Sequence, residues 1–274
     1  MTINCKGTLI DLTTPKIMGI LNITPDSFYD GGKYQNEKSI LIQVEKMLNE
    51  GTTFIDVGAY SSRPGAKHVS EEDELKRIVP IVELILKNFS EIYLSIDTFR
   101  SKIAEECINS GAAIINDISA GKLDKNMIPT IGKLSVPYIM MHMKGNPQTM
   151  QSQTHYENLI KEITYYFSEQ ITKAKQHQIK DLIIDPGFGF SKTLDQNFEL
   201  LNNLEILNLL EFPILVGVSR KSMIYKLLKN SPEDALNGTT CLNTIALLKG
   251  AKILRVHDVK EAKECIALTN QLNK

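Results

Sequence analysis

Two short clusters near the carboxyl end of the chain hold its most suggestive basic chemistry. Arg255 and His257 stand two apart, and Ser219, Arg220 and Lys221 are consecutive. Residues two apart on a strand project to the same face, so Arg255 and His257 would meet one ligand together. A guanidinium presents a planar fork to phosphate oxygens, and each charge-assisted bond contributes roughly 1.5–3 kcal/mol. The chain as a whole is nearly neutral, with 31 basic and 32 acidic residues and a formal charge of −1. Against that background the cluster reads as a local anion site, the alternative being a solvated patch.

A second group comprises Asp97, Asn116 and Asp185, with Lys221 near them. A carboxylate accepts two parallel N–H bonds from a guanidine-like edge, and an Asn offers both a donor and an acceptor. Such a set suits a small planar heterocycle rich in N–H donors and ring nitrogens. A divalent-metal cage is the other reading, but the set lacks a compact carboxylate cluster and Lys221 would repel the ion. Taken singly, Asp97 could cap a following helix, and Asp185 before Pro186 and Gly187 could form a turn. His142 could be a satisfied interior histidine as readily as a ligand contact, and no catalytic role falls to it. His155 and His177 read as solvated. No Ser-His-Asp order and no H-E-x-x-H motif points to a hydrolase.

The elements that must position these residues are short and strongly apolar. Candidate strands lie at 17–22, 53–59, 92–97, 112–117, 137–142, 181–185, 213–219 and 252–257, nearly continuous in apolar content, as suits parallel strands covered on both faces. Each strand finishes in a polar residue: Asn22, Asp56, Asp97, Asn116, His142, Asp185, the Ser219–Lys221 run and Arg255 with His257. Helical patterns separate them. Ser70 before Asp73 signals an N-cap, Gly51 a left-handed stop, and Thr98 the opening of a helix that ends at Gly111. Pro80 inside one helical pattern predicts a kink or a boundary.

Strand followed by helix, repeated over 274 residues, predicts an α/β fold, a (β/α)8 TIM barrel forming a single domain over 1–274. The leading NCKGTLIDL predicts a short N-terminal β-hairpin at the barrel's base. A doubly wound sheet is the rival, but no G-x-G-x-x-G or Walker lysine loop is present. In a barrel the polar strand ends converge on one rim, and the last two loops are the usual phosphate position. Two long loops, 22–36 and 60–68, have the composition of lids or binding loops, and DPGFGF at 185–190 could bring backbone and rings close to an aromatic ligand.

The near-zero charge argues against a general nucleic-acid or membrane binder. The four cysteines are far apart and form no C-x-x-C pair, which predicts neither a zinc site nor a disulfide framework and suits a reducing cytoplasm. The first residues lack a basic n-region and a long apolar h-region, so no signal peptide is expected.

The segments MGILNITPDSFYDGG, FIDVGAYSSRPGA, SIDTFR, GAAIINDISAG, MMHMKGNPQTMQ, DPGFGFSKTLDQN, VGVSRKSMI and RVHDV occur here in the order found in dihydropteroate synthases. From about Lys16 to His257 the chain resembles that pterin-binding family. The resemblance implies a (β/α)8 barrel that joins 6-hydroxymethyl-7,8-dihydropterin pyrophosphate to p-aminobenzoate, requires Mg2+ and is inhibited by sulfonamides. It implies that Asp97, Asn116, Asp185 and Lys221 hold the pterin. Asn22, Arg63, Arg255 and His257 would take the pyrophosphate, with Asn22 helping to hold the metal. Ser62, Pro64, Phe190, Lys221 and Ser222 would lie near the aminobenzoate, and Asp97, Lys221, Arg63 and Arg255 would carry catalysis. The implied reaction is a dissociative substitution in which pyrophosphate leaves first. A homodimer through the later helices and a chain without a fused second folate enzyme are also implied.

One departure stands out. Where family members often read G-G-E-S-T-R-P-G, this chain reads GAYSSRPG, with Tyr60 for Glu and Ser62 for Thr. Serine keeps the hydroxyl, whereas Tyr60 cannot take over a carboxylate's role. The alternatives to a synthase are the pterin-binding barrel of folate-dependent methyltransferases and a catalytically inactive pterin-binding module.

Overall fold

The computed structural model describes residues 1–23, 32–60 and 69–272, with backbone only for 32–36. The loop segments 24–31 and 61–68, which include Ser62, Arg63, Pro64 and His68, lie outside the described residues.

The chain opens with β1 (Thr2–Cys5) and β2 (Thr8–Asp11), paired antiparallel. Lys6 and Gly7 between them both take positive φ, the geometry of a type I′ turn that matches strand twist. The alternation that follows is β3 (Lys16–Asn22), α1 (Gly32–Glu50), β4 (Phe54–Gly58), α2 (Glu71–Asn88), β5 (Tyr93–Asp97), α3 (Ser101–Asn109), β6 (Ile114–Asp117), α4 (Met127–Leu134) and β7 (Tyr138–Met141). It continues with α5 (Leu159–Gln176), β8 (Leu182–Asp185), α6 (Leu194–Asn202), β9 (Leu215–Val216), α7 (Ser222–Leu228), α8 (Leu236–Leu248), β10 (Ile253–Val256) and α9 (Val259–Leu272).

The eight later strands form one parallel sheet in the order β8-β7-β6-β5-β4-β3-β10-β9. The first and last barrel strands pair in register from Lys16 with Ile253 to Gly19 with Val256. A single parallel bridge, Ile184 with Ile214, joins β8 to the approach of β9 and completes the ring. The architecture is the (β/α)8 barrel that the strand count and the strand–helix alternation predict.

Alternation along each strand sorts side chains between the two faces. Inward-pointing Met18, Phe54, Ile114, Ile139, Ile183, Leu215 and Ile253 form an apolar floor, and Ile3, Cys5 and Leu12 of the hairpin segment pack beneath it. Thus the hairpin plugs the amino-terminal end, as the opening sequence predicts. The outward residues pack the barrel against its helices: Ile55, Val57, Leu94 and Ile96 meet Ile78, Val82 and Ile85 in the same buried cluster. With the floor sealed, the inward positions one step further along the strands are free to be polar.

Helix ends follow local chemistry. Ser70 accepts the Asp73 N–H at 3.1 Å, the expected cap of α2. Gly51 (φ +96°) donates its N–H to Met47 O after α1, as expected. Two expectations are corrected. Pro80 marks no boundary, the second of the two outcomes expected there: α2 continues through it, with Ile78, Val82 and Ile85 buried on both sides of the proline. Thr98 does not open α3. Its hydroxyl donates to buried Glu74 at 2.9 Å, and Ser101 N–H at the helix start is met instead by Asp124 at 2.7 Å. Among the described residues no helix is long and apolar enough to cross a membrane.

Candidate active site

The polar strand ends meet at the rim opposite the hairpin, and the centre of that rim is a charge network. Arg255 on β10 donates from Nε to Asp56 Oδ2 at 2.6 Å and from Nη2 to Asp97 Oδ2 at 2.8 Å. Asn116 on β6 donates from Nδ2 to the same Asp56 oxygen at 3.0 Å. Side chains from β10 and β6 therefore converge on one fully buried carboxylate of β4, and Arg255 links it to Asp97 on β5. The other oxygen of Asp56 is also buried and has no hydrogen-bond partner among the described residues. Burial pushes the Asp97 carboxyl up to about 7, with Arg255 pulling it down and Asp56 and Glu74 adding to the rise. Burial by itself would lower the Arg255 pKa, but Asp56 and Asp97 outweigh it, and the guanidinium stays charged.

Beside this network lie Asp185 and Lys221. Asp185 ends β8, where it accepts the Gly187 N–H at 2.8 Å and is raised by burial against the opposing pull of Lys221. Lys221 donates to Phe188 O, and its ammonium lies 4.9 Å from the centroid of the Phe190 ring. Burial lowers Lys221 to about 8, with Asp185 opposing the shift. Half-buried Ser222 begins α7 beside it. The turn that presents Phe188 and Phe190 needs its glycine: Gly187 has φ +72°, and a Cβ there would sit 2.1 Å from His142 O.

The structure divides the basic cluster of the last two strands. Arg220 turns away from the mouth, binding Asp258 with both ends of its fork at 2.9 and 2.8 Å. His257 stays at the rim, its Nδ1 3.0 Å from Ser219 Oγ. Half-buried Asn22 ends β3 opposite Gly58. The candidates Ser62, Arg63 and Pro64 belong to the segment outside the described residues.

Two residues of the site stand outside the sequence-based candidates. Asp56 is one, and its sequence signal is that an acid between Ile55 and Val57 in a buried parallel strand must face the barrel interior. Lys192 read as an unremarked loop lysine, yet it is buried and donates to Gly187 O at 2.9 Å and Phe190 O at 3.0 Å. No sequence signal separates it from a solvated lysine. His142 is itself buried, 3.1 Å from Lys192 Nζ, and burial holds it well below the usual histidine range. It is a neutral interior residue.

Residues 18–257 match the model of a family described as pterin binding enzyme. The dihydropteroate synthase of Escherichia coli K12 is 43% identical over 268 residues, covering 97% of this chain and 94% of that protein. The chain belongs to the dihydropteroate synthase family. Among solved family members, the Yersinia pestis synthase in a sulfonamide drug complex superposes with a TM-score of 0.93 at 40% identity, covering 100% of this chain and 99% of that one. The Xanthomonas albilineans synthase with 4-aminobenzoic acid gives 0.92 at 33% identity, with 99% and 98% covered.

Within the family, the Tyr60 departure acquires a structural meaning. The ring is buried edge-on against Phe99 at 5.1 Å, and its hydroxyl accepts from Gln148 at 2.9 Å. Arg100 lies over both rings at 5.4 and 5.1 Å, pairs with buried Glu74, and donates to Val69 O at 2.7 Å. At this position the chain therefore places an aromatic ring packed on Phe99 and Arg100.

Proposed function

We propose that this chain condenses 6-hydroxymethyl-7,8-dihydropterin pyrophosphate with p-aminobenzoate to give 7,8-dihydropteroate and pyrophosphate. Family membership supports the reaction. The observation that carries the site is the convergence of Arg255, Asp56, Asp97 and Asn116 on one rim, next to Asp185 and Lys221.

In this reading Asp97, Asn116, Asp185 and Lys221 hold the pterin. Their acceptors and donors face a heterocycle whose edge carries N–H groups and ring nitrogens. Arg63, Arg255 and His257 take the pyrophosphate. The carbon–oxygen bond at the exocyclic methylene breaks first, and pyrophosphate departs with the bonding pair. Asp97, as a carboxylate, stabilises the positive pterin that remains. The aminobenzoate nitrogen then donates its lone pair to the methylene carbon and loses a proton to water. Ser62, Pro64, Phe190, Lys221 and Ser222 line the aminobenzoate side. Phe190 is suited to this as a half-buried ring beside a cation.

The donor set bears on Mg2+. Among the described residues no cluster of His, Cys, Asp and Glu could cage an ion. Asp56 and Asp97 each already spend one oxygen on the shared Arg255 guanidinium, which would repel a cation placed between them. The residues therefore fit an ion held by a single protein oxygen, from Asn22, and otherwise by phosphate oxygens and water, a common mode for Mg2+. When bound there, Mg2+ would neutralise charge that builds up on the leaving pyrophosphate.

Sulfonamides, as aminobenzoate analogues, are the expected inhibitors, in keeping with the drug complex of the Yersinia pestis relative. A homodimer is supported by exposed leucines on the later helices: Leu227 and Leu228 on α7, Leu248 on α8, and Leu268 and Leu272 on α9. The four cysteines are all free thiols, which suits a cytoplasmic setting. Light scattering tests the dimer. The reaction is tested by measuring pyrophosphate release from the dihydropterin substrate with Mg2+, with and without p-aminobenzoate. Release that rises with aminobenzoate and yields dihydropteroate is expected, and tight pterin binding without release would refute the activity.

A further inference from the structure

Lys192 is a cation in the interior that none of the assigned roles uses. It is 5% exposed, and its Nζ lies within hydrogen-bond distance of Gly187 O (2.9 Å), Phe190 O (3.0 Å) and His142 Nδ1 (3.1 Å). An ammonium has three donors, and these three acceptors use them all. The same short turn is fixed from other sides. Gly189 N–H donates to buried Asn197 at 2.6 Å, Phe190 N–H to Gly187 O at 3.1 Å, and Lys221 to Phe188 O. His142, the outer acceptor, is held edge-on against Tyr166 at 4.8 Å. A buried lysine is costly to keep, and here two of its three contacts go to a segment whose neighbouring side chains face the site.

We propose that Lys192 is a positioning residue for the aminobenzoate half of the site. By tying both ends of the turn 187–190 to the end of β7, it sets where the Phe190 ring stands. Through Phe188 O it also sets where the Lys221 ammonium stands. It reaches neither substrate itself. Asp185 and Asn116 sit on β8 and β6 rather than on the turn, so the pterin contacts are less dependent on it. Burial lowers the Lys192 pKa to about 7 while nearby Asp185 opposes the shift, as expected of a cation enclosed beside the pterin carboxylate. The proposal rests on the reading that Phe190 and Lys221 face the aminobenzoate.

The test compares Lys192→Met, Lys192→Arg and Phe190→Leu in the full-length protein, by steady-state kinetics in each substrate and by calorimetry with a pterin alone. Losing charged hydrogen bonds to the turn should raise the aminobenzoate KM of Lys192→Met about tenfold. The pterin Kd should rise by a clearly smaller factor, because of the four pterin contacts only Lys221 is reached through the turn, a split that general destabilisation would not give. Lys192→Arg, which keeps donors, should recover part of the loss. An unchanged aminobenzoate KM in Lys192→Met, or an equal loss for both ligands, overturns the proposal. If Phe190→Leu leaves aminobenzoate KM untouched while Lys192→Met raises it, the assignment of Phe190 fails and Lys192 stands. Should Lys192→Met not fold, Asn197→Ala loosens the opposite side of the turn, and the same ratio of effects decides.

Discussion

Removing the Asp56 carboxylate should damage stability and pterin binding together, because two partners lean on one oxygen. In Asp56→Ala, Arg255 loses its 2.6 Å bond and Asn116 its 3.0 Å bond. Breaking a buried ion pair from one side costs ~3–5 kcal/mol. Arg255 keeps Asp97 and is 19% exposed, so the lower end applies, about 3 kcal/mol. For a domain of this size each kcal/mol lowers Tm by ~2–4 °C, which gives a fall of about 6–12 °C. Asp56→Asn retains an acceptor of the same shape and exchanges charged bonds for neutral ones, so a loss of ~1–2 kcal/mol is expected. Calorimetric titration with a pterin should show weakening of about tenfold or more for the alanine variant, as Asn116 and Arg255 lose their fixed positions. Thermal unfolding and titration on both variants check the ordering. A Tm within 2 °C of the parent (about half a kcal/mol to one) together with an unchanged pterin Kd would show that the network does not depend on Asp56.

Other perturbations separate neighbouring roles. Arg255→Ala should weaken pyrophosphate binding and, because it strands Asp56 and Asp97 without their cation, should also weaken pterin binding; calorimetry with each ligand alone measures both losses. The pH profile of kcat/KM for the dihydropterin pyrophosphate should rise as Asp97 ionises near 7 and fall as Lys221 loses its charge near 8, and Asp97→Asn should abolish the acid limb if any activity is left to follow. Stability carries the Asp97 sign as well. The folded carboxyl binds its proton up to about 7 whereas the unfolded one releases it near ~3.9, so its contribution is full below that lower value and is lost as pH rises through 7. Asp97→Asn should therefore flatten the decline of Tm between about pH 4 and 7. Glu74→Ala leaves the buried Arg100 without its carboxylate partner, and a loss of about 3 kcal/mol should register as a lower denaturant midpoint.

Much of this was legible in the residues. The strand ends Asn22, Asp97, Asn116 and Asp185 could be placed on one rim because a nearly continuous apolar run in a barrel leaves its polar terminus pointing to the mouth. Arg255 and His257 share that rim by simple parity. Its partners were not readable: Asp56 is 199 residues away and Asp97 158, and no local pattern encodes a contact at that range. Arg220 shows the reverse case. It stands beside Lys221 in the chain, yet its left-handed backbone (φ +53°) swings the side chain out to Asp258. Thr98 has the composition of a helix opening, but its hydroxyl accepts the Arg100 N–H at 3.2 Å just before the helix begins and donates to buried Glu74, a long-range partner no local pattern encodes.

The ring of strands is not equally strong all the way round. Between β3 and β4 the register runs over five residue pairs, Met18–Phe54 to Asn22–Gly58, whereas β8 meets the approach to β9 through the single bridge Ile184–Ile214. Just above that thin seam, Asp185 stands on one side and Lys221 on the other, with Lys221 reaching across to Phe188 O. A ligand gripped by both side chains therefore acts as a staple across the joint where the barrel would first open. Substrate becomes part of the protein's own closure: at a hundredfold excess over Kd it adds about 2.7 kcal/mol to global stability. Amide hydrogens around 184 and 214–216 should slow their exchange more than those of β4 when a pterin binds, so that occupancy of the site can be read from the tightness of one seam.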